Sequence, residues 1–192
     1  MPPAGHTRAR KLICLAGFMG AGKTTAGQML ARQLGWRFVD LDTRIEERAG
    51  LSITAIFDRL GEPAFRALEH GLLFDALGEA DAQSTPTVLA LGGGTFAQPQ
   101  NVELLRSRAA TVVWLDCPVD DLLARCVTMS NRPLFRDEPS FRKLLAERLP
   151  FYQQAEFRVA SNADPRCVVE QICALCLPEL SVGRETSNGV NA

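Results

Sequence analysis

The sequence predicts an α/β fold: a parallel sheet of about five strands with helices on both faces. Short apolar runs of the kind that form buried parallel strands recur at Lys11–Ala16, Arg37–Val39, Thr87–Leu91, Thr111–Leu115 and Phe157–Val159. Helical patterns fill the gaps, at Lys23–Leu34, Asp42–Ala49, Ser52–Asp58, Glu62–Leu77, Val102–Arg106, Val119–Val127, Ser140–Gln153 and Asp164–Leu177. A glycine-rich turn joins the first strand directly to the first helix. Strand and helix in strict turn imply right-handed crossovers, and in such sheets ligands gather at the carboxyl ends of the strands.

The ends of the elements carry their own signals. Gly35 and Gly78 stand where C-terminal stops belong, Ser52 where an N-cap belongs, and Pro63 near a helix start. Residues 1–10 and 181–192 are polar or small and lack hydrophobic period, so both ends are expected to be flexible around a single domain at 11–178. The stretch Thr128–Pro139 is polar, proline-bearing and rich in arginine, and is expected to be a mobile loop between two helices.

With 192 residues, 46% of them hydrophobic, the chain can bury a substantial core. Its 21 basic and 22 acidic residues leave a net charge of −1, which gives no global attraction to nucleic acid or to anionic lipid. Any anion must be held by local chemistry. The basic start (His6, Arg8, Arg10, Lys11) followed by the apolar run Leu12–Gly22 imitates a secretory signal, but cleavage there would destroy the glycine-rich turn. Charges interrupt every apolar run well short of about 20 residues, so a soluble protein is expected. A cytoplasmic monomer that binds neither nucleic acid nor membrane is the expectation. The six cysteines are scattered among apolar neighbours, as reduced thiols would be. Cys173 and Cys176 form a Cys-x-x-Cys inside an apolar helical pattern with no second pair, which reads as buried small hydrophobes.

Gly17-Phe-Met-Gly20-Ala21-Gly22-Lys23-Thr24 satisfies G-x-x-x-x-G-K-[ST], directly after a strand and before a helix, as a P-loop requires. The glycines let the backbone aim N–H groups at a phosphate, and the following helix adds its N-terminal partial charge. Lys23 can reach the β- and γ-phosphates, and the hydroxyl of Thr24 can ligate Mg²⁺. Nucleotide binding alone does not define a function, so the acceptor must be sought elsewhere.

Three segments are candidates. Phe38-Val39-Asp40-Leu41-Asp42 ends the second strand with carboxylates at i and i+2, on one side of the backbone. One could hold a water of a Mg²⁺ shell while the other takes a proton from an attacking hydroxyl; a helix cap beside an exposed Asp would look the same. Glu62, Arg66 and Glu69 share one helical face, as a site or as a surface ion-pair ladder. Gly92-Gly93-Gly94 follows the third strand, where backbone could approach a ligand closely or simply turn.

Taken together these motifs resemble the shikimate kinase family, from about Leu12 to about Leu177. The phosphate loop, Phe38–Asp42 continuing into Ile45-Glu46, the block Ser52-Ile53…Ile56-Phe57…Gly61-Glu62…Phe65-Arg66…Glu69, and the triple glycine match in order. So do Arg132-Pro133-Leu134, similar to that family's lid, and Arg148-x-Pro150-x-Tyr152-x-x-Ala155. The resemblance implies a P-loop NTPase-type kinase with a short mobile lid, moving the γ-phosphate of ATP to the 3-hydroxyl of shikimate to give shikimate 3-phosphate and ADP. By that resemblance Gly20, Ala21, Gly22, Lys23, Thr24 and Thr25 hold the nucleotide, Arg125 stacks on adenine, and Ala163 lies in the loop Asn162–Pro165 beneath the base. Asp42 contacts the ring hydroxyls and acts as base, with Lys23 and Arg132 also catalytic, Arg132 swinging in with the lid onto the transferring phosphate. Arg66 and Arg148 clamp the substrate carboxylate, Gly93 offers main-chain N–H groups, and Mg²⁺ rests on Thr24 and, through water, Asp40.

The match has departures. Cys126 stands where the family usually has threonine, and Phe135 where leucine is commoner; neither removes a charge the mechanism needs. No acidic residue ends the third strand, since Gly92 follows Leu91, which leaves Mg²⁺ to Thr24, phosphate oxygens and water. Two rival functions fit the same motifs: a kinase of another hydroxy acid such as gluconate, and a non-catalytic sensor. Only about ten residues precede the first strand, too few for a DNA-binding helix-turn-helix domain of the kind such a sensor would carry.

Overall fold

The computed structural model describes residues 11–127 and 137–178. The expected flexible termini, and the lid with Arg132, Pro133, Leu134 and Phe135, lie outside the described residues. The last residues of the expected loop do not belong to it, because Glu138 and Pro139 open a helix capped by Asp137, whose side chain accepts from the Ser140 N–H.

Five strands form one parallel sheet in the order β2-β3-β1-β4-β5: β1 Leu12–Ala16, β2 Arg37–Asp40, β3 Thr87–Ala90, β4 Thr111–Asp116 and β5 Phe157–Ala160. Every residue of β1 and β3 is buried. Successive side chains point to opposite faces, so both faces of the central sheet are covered. The helices are α1 Lys23–Leu34, α2 Leu41–Ala49, α3 Ile53–Gln83, α4 Pro99–Ser107, α5 Val119–Val127, α6 Glu138–Tyr152 and α7 Pro165–Cys176. Among the described residues no helix is long and apolar enough to cross a membrane.

All five strands lie within one residue of their expected bounds, because each is a short apolar run with no competing period. Gly35 ends α1 at φ 67°, and the Ser52 hydroxyl caps α3 by accepting from the Ala55 N–H. Gly78 is not a stop. A lone glycine costs a helix only about 1 kcal/mol, and the buried face of Leu73, Ala76, Leu77 and Ala80 continues straight past it. Helix α3 therefore runs to Gln83. The two helices expected at Ser52–Asp58 and Glu62–Leu77 are both present within α3 and meet at Gly61, whose φ of 80° and ψ of 169° are non-helical, two residues before Pro63. A 3₁₀ turn at Thr95–Ala97, with no periodic signature in so few residues, follows the triple glycine.

None of the six cysteines is in a disulfide. Cys176 is buried in the core on α7, and Cys173, half-buried, meets Gln33 of α1.

Register decides where the site falls. Asp40 pairs with Ala90, and Leu15 also pairs with Ala90, so β2, β3 and β1 end side by side. The loops leaving them are the paired aspartates, the triple glycine and the phosphate loop. Strand order reverses at β1, the switch point where ligands bind in open α/β sheets.

Candidate active site

The phosphate loop needs its glycines for two reasons. A β-carbon on Gly17 would stand 2.7 Å from the carbonyl oxygen of Leu115, a backbone atom that cannot swing aside. Gly22, immediately before α1, has φ 88°, a left-handed conformation that other residues resist. Lys23 Nζ donates to the carbonyls of Gly17 and Phe18 at 2.9 and 3.0 Å, which holds the ammonium over the loop. A cavity of about 460 Å³ opens there, lined by Gly20 to Ala26, Asp40, Asp42, Leu91, Arg125, Ser161, Ala163, Pro165 and Val168. The expected nucleotide residues of the loop, with Arg125 and Ala163, thus share one cavity with Asp42. Arg125 spans it, donating to the carbonyl of Gly20 at 3.1 Å and to that of Ser161 at 3.2 Å.

Asp40 caps α2 and also reaches the phosphate loop. Its Oδ1 caps α2 by accepting from the N–H groups of Asp42 and Thr43, and its Oδ2 accepts from Thr24 Oγ1 at 2.7 Å. A hydroxyl and a carboxylate side by side are hard oxygen donors that suit a divalent cation keeping much of its water. Among the described residues no cluster of three His, Cys, Asp or Glu side chains could hold a metal, so phosphate oxygens and water would complete the shell. The donor set fits the group.

The triple glycine brings the acceptor groups together. A β-carbon on Gly92 would lie 2.6 Å from Asp42 Oδ1, and one on Gly94 would lie 2.7 Å from Arg66 NH2 and 3.1 Å from Arg148 NH2. Side chains from α2, α3 and α6 converge on three residues that have none. Asp42 thus lies against the glycine turn and lines the nucleotide cavity. The Glu62–Arg66–Glu69 face is not a surface ladder either, because Glu69 is 0% exposed and accepts from Arg66 NH1 at 2.9 Å, while Glu62 takes the Nε and NH2 side.

Arg148 is buried, and burial first, with the nearby Arg66 guanidinium, depresses its pKa below the usual arginine range. Two cations so placed favour an anion between them. Arg148 NH1 donates to the carbonyl of Gly93 at 3.1 Å, and Tyr152 OH donates to the same oxygen at 2.5 Å. Burial pushes the Tyr152 phenol up to about 12, so it stays a donor. The Arg148 guanidinium also sits 5.5 Å from the ring centroid of Phe18, which meets Phe141 edge-on.

The sequence did not reveal the roles of Phe18, Tyr152 and Ser161. Phe18 occupies a position the phosphate-loop pattern leaves free, and Ser161 joins the cavity only through the pairing of β5 with β4. Tyr152 belonged to a recognised motif, but its partner Gly93 is 59 residues away.

A triphosphate cradle that shares a cavity with a carboxylate, beside two converging guanidinium groups, is the arrangement of a P-loop kinase of small molecules, and fold and site place the chain in that class. A family model described as shikimate kinase matches residues 19–177. A shikimate kinase of Synechococcus sp. (strain CC9605) is 43% identical over 173 residues, 88% of this chain and 83% of that one. A solved structure described as shikimate kinase from Acinetobacter baumannii in complex with shikimate superposes with a TM-score of 0.81 at 37% identity, over 88% of this chain and 96% of that one. A gluconokinase from Sinorhizobium meliloti superposes with a TM-score of 0.58 at 15% identity, over 95% of this chain and 99% of that one, a likeness of fold alone. The chain belongs to the shikimate kinase family.

Proposed function

We propose that the chain transfers the γ-phosphate of ATP to the 3-hydroxyl of shikimate, giving shikimate 3-phosphate and ADP. The observation that carries this reading is the convergence of Arg66 and Arg148 on Gly94 beside Asp42, in a chain whose relatives are shikimate kinases. Two guanidinium forks suit a planar carboxylate, and one carboxylate suits a hydroxyl that must lose its proton.

Phosphoryl transfer is chiefly positioning and charge neutralisation. Lys23 and the N–H groups from Gly20 to Thr25 hold the phosphates. Arg66 and Arg148 grip the acceptor's carboxylate, and main-chain groups around Gly93 bound its ring. Asp42 orients the attacking hydroxyl and accepts its proton. Arg125 and the loop bearing Ala163 flank the adenine, and Arg132 adds positive charge at the transferring phosphate. Thr24, and Asp40 through water, would hold Mg²⁺, which would supply positive charge against the phosphates. Asp42, Lys23 and the clamp arginines all come from one chain, so a monomer would suffice for the reaction. The scatter of the six cysteines, with no disulfide framework in their spacing, is in keeping with a cytoplasmic location.

A coupled assay of ADP release with Mg·ATP tests the substrate. Shikimate should be turned over with kcat/KM well above that for gluconate. Preferred turnover of gluconate would overturn the assignment.

A further inference from the structure

A polar chain runs from the acceptor side of the glycine turn out through the space between α3 and α4. Arg66 NH1 donates to Glu69 Oε2 at 2.9 Å, and Thr95 Oγ1 donates to the other oxygen, Oε1, at 2.7 Å. The main-chain carbonyl of Thr95 accepts from Asn101 Nδ2 at 3.0 Å, and Asn101 Oδ1 lies 2.7 Å from His70 Nδ1. Because the amide nitrogen of Asn101 is committed to Thr95, its oxygen faces His70, and His70 Nδ1 is the donor. Glu69, Thr95 and Asn101 are each 0% exposed.

Burying a hydroxyl, an amide and a carboxylate costs free energy that apolar side chains in the same volume would not. A fully bonded polar network does, however, fix one geometry. Here the fixed geometry is at its inner end. With Thr95 on Oε1, Glu69 turns Oε2 to Arg66. Oε1 also lies 3.1 Å from the position a β-carbon on Gly92 would take, and Asp42 Oδ1 lies 2.6 Å from that same point. Two carboxylates meeting there would repel, and the Thr95 hydroxyl, 2.8 Å from the point, places a proton against one of them.

We propose that Thr95 is a positioning residue of the acceptor site: its hydroxyl sets the Glu69 carboxylate, which in turn aims the Arg66 guanidinium at the acceptor's carboxylate and keeps its own charge off Asp42. The inference rests on Arg66 being half of the carboxylate clamp. Thr95 itself acts only through Glu69. Valine at this position keeps the shape and removes the donor, whereas serine keeps the donor and removes a methyl group.

The test compares wild type, Thr95→Val and Thr95→Ser by steady-state kinetics with Mg·ATP and shikimate. It also follows the Arg66 side-chain Nε signal by ¹⁵N NMR, assigned with Arg66→Lys. Thr95→Val should raise the shikimate KM about five- to tenfold, leave the ATP KM within about twofold, and shift or broaden the Arg66 signal. Thr95→Ser should restore both. An unchanged shikimate KM in Thr95→Val, a parallel rise in both KM values, or a serine variant no better than valine would each overturn the proposal. If Thr95→Val does not fold, Thr95→Ala carries the same readouts. If wild type does not phosphorylate shikimate, the functional reading fails and the NMR comparison alone decides: an Arg66 signal indifferent to Thr95→Val refutes the role, and one restored by serine sustains it.

Discussion

Thr24 Oγ1 donates to Asp40 Oδ2 at 2.7 Å, so the first turn of α1 is tied to the end of β2, the strand that delivers the acceptor-side aspartate. The other oxygen of Asp40 caps α2. One side chain therefore sets the spacing between the phosphate loop and Asp42.

The two roles of Asp40 separate by substitution. Asp40→Asn keeps an oxygen for the cap but removes the charge, so the metal concentration needed for half-maximal activity should rise about tenfold while thermal stability changes little. Asp40→Ala should lose about 1 kcal/mol as well, the usual cost of a missing cap. Metal titrations and melting curves on both variants check this, and equal metal requirements in Asp40→Asn and wild type would remove Asp40 from the cation's surroundings.

Gly94→Ala isolates the clamp from the fold. Gly94 sits at φ −109° and ψ −7°, which alanine adopts without strain. Its new methyl group would fall 2.7 Å from one terminal nitrogen of Arg66 and 2.8 Å from the other. Those atoms end a flexible side chain, so the guanidinium moves while the backbone stays. Acceptor KM should rise by about tenfold or more, with ATP KM and melting temperature nearly unchanged. Unfolding of this variant would show that the turn, not the clamp, sets the requirement for glycine.

Asp42→Asn should leave nucleotide affinity intact and lower kcat by roughly 10²-fold or more, the usual scale for a positioned base. Nucleotide titration and single-turnover kinetics measure the two separately. Near-normal turnover would mean that another group takes the proton.

Tyr152 predicts a pH effect with a definite sign. Burial raises its pKa from 10.0 to about 12, so the unfolded chain ionises first as pH climbs. Its contribution is fully present below pH 10 and is lost as pH rises through the folded value near 12. Over that window wild type should lose up to roughly 2–3 kcal/mol more than Tyr152→Phe. Unfolding curves from pH 8 to 12 on both proteins give the difference, and parallel curves would place the phenol's titration elsewhere.

The legible parts of the molecule were those written locally. Strands such as Leu12–Ala16 announce themselves by composition, and the phosphate loop by the chemistry its glycines permit. Gly78 misled because a glycine is a weak stop when the buried face of its helix continues on both sides. The pairing of Arg66 with Arg148 was implied by the family resemblance, but their meeting at Gly94 was not, since periodicity places those arginines on two helices and says nothing of where the helices meet. Thr95, Asn101 and His70 were not legible at all. Their bonds span sequence separations of up to 31 residues, and their types are common on any surface.

The grip of two guanidinium groups on one carboxylate is tested most directly by comparing kcat/KM for shikimate with that for its methyl ester, in wild type and in Arg66→Ala. Wild type should lose about two orders of magnitude or more on the ester, and Arg66→Ala should discriminate far less between the two acceptors. Equal use of ester and acid by wild type would contradict the clamp.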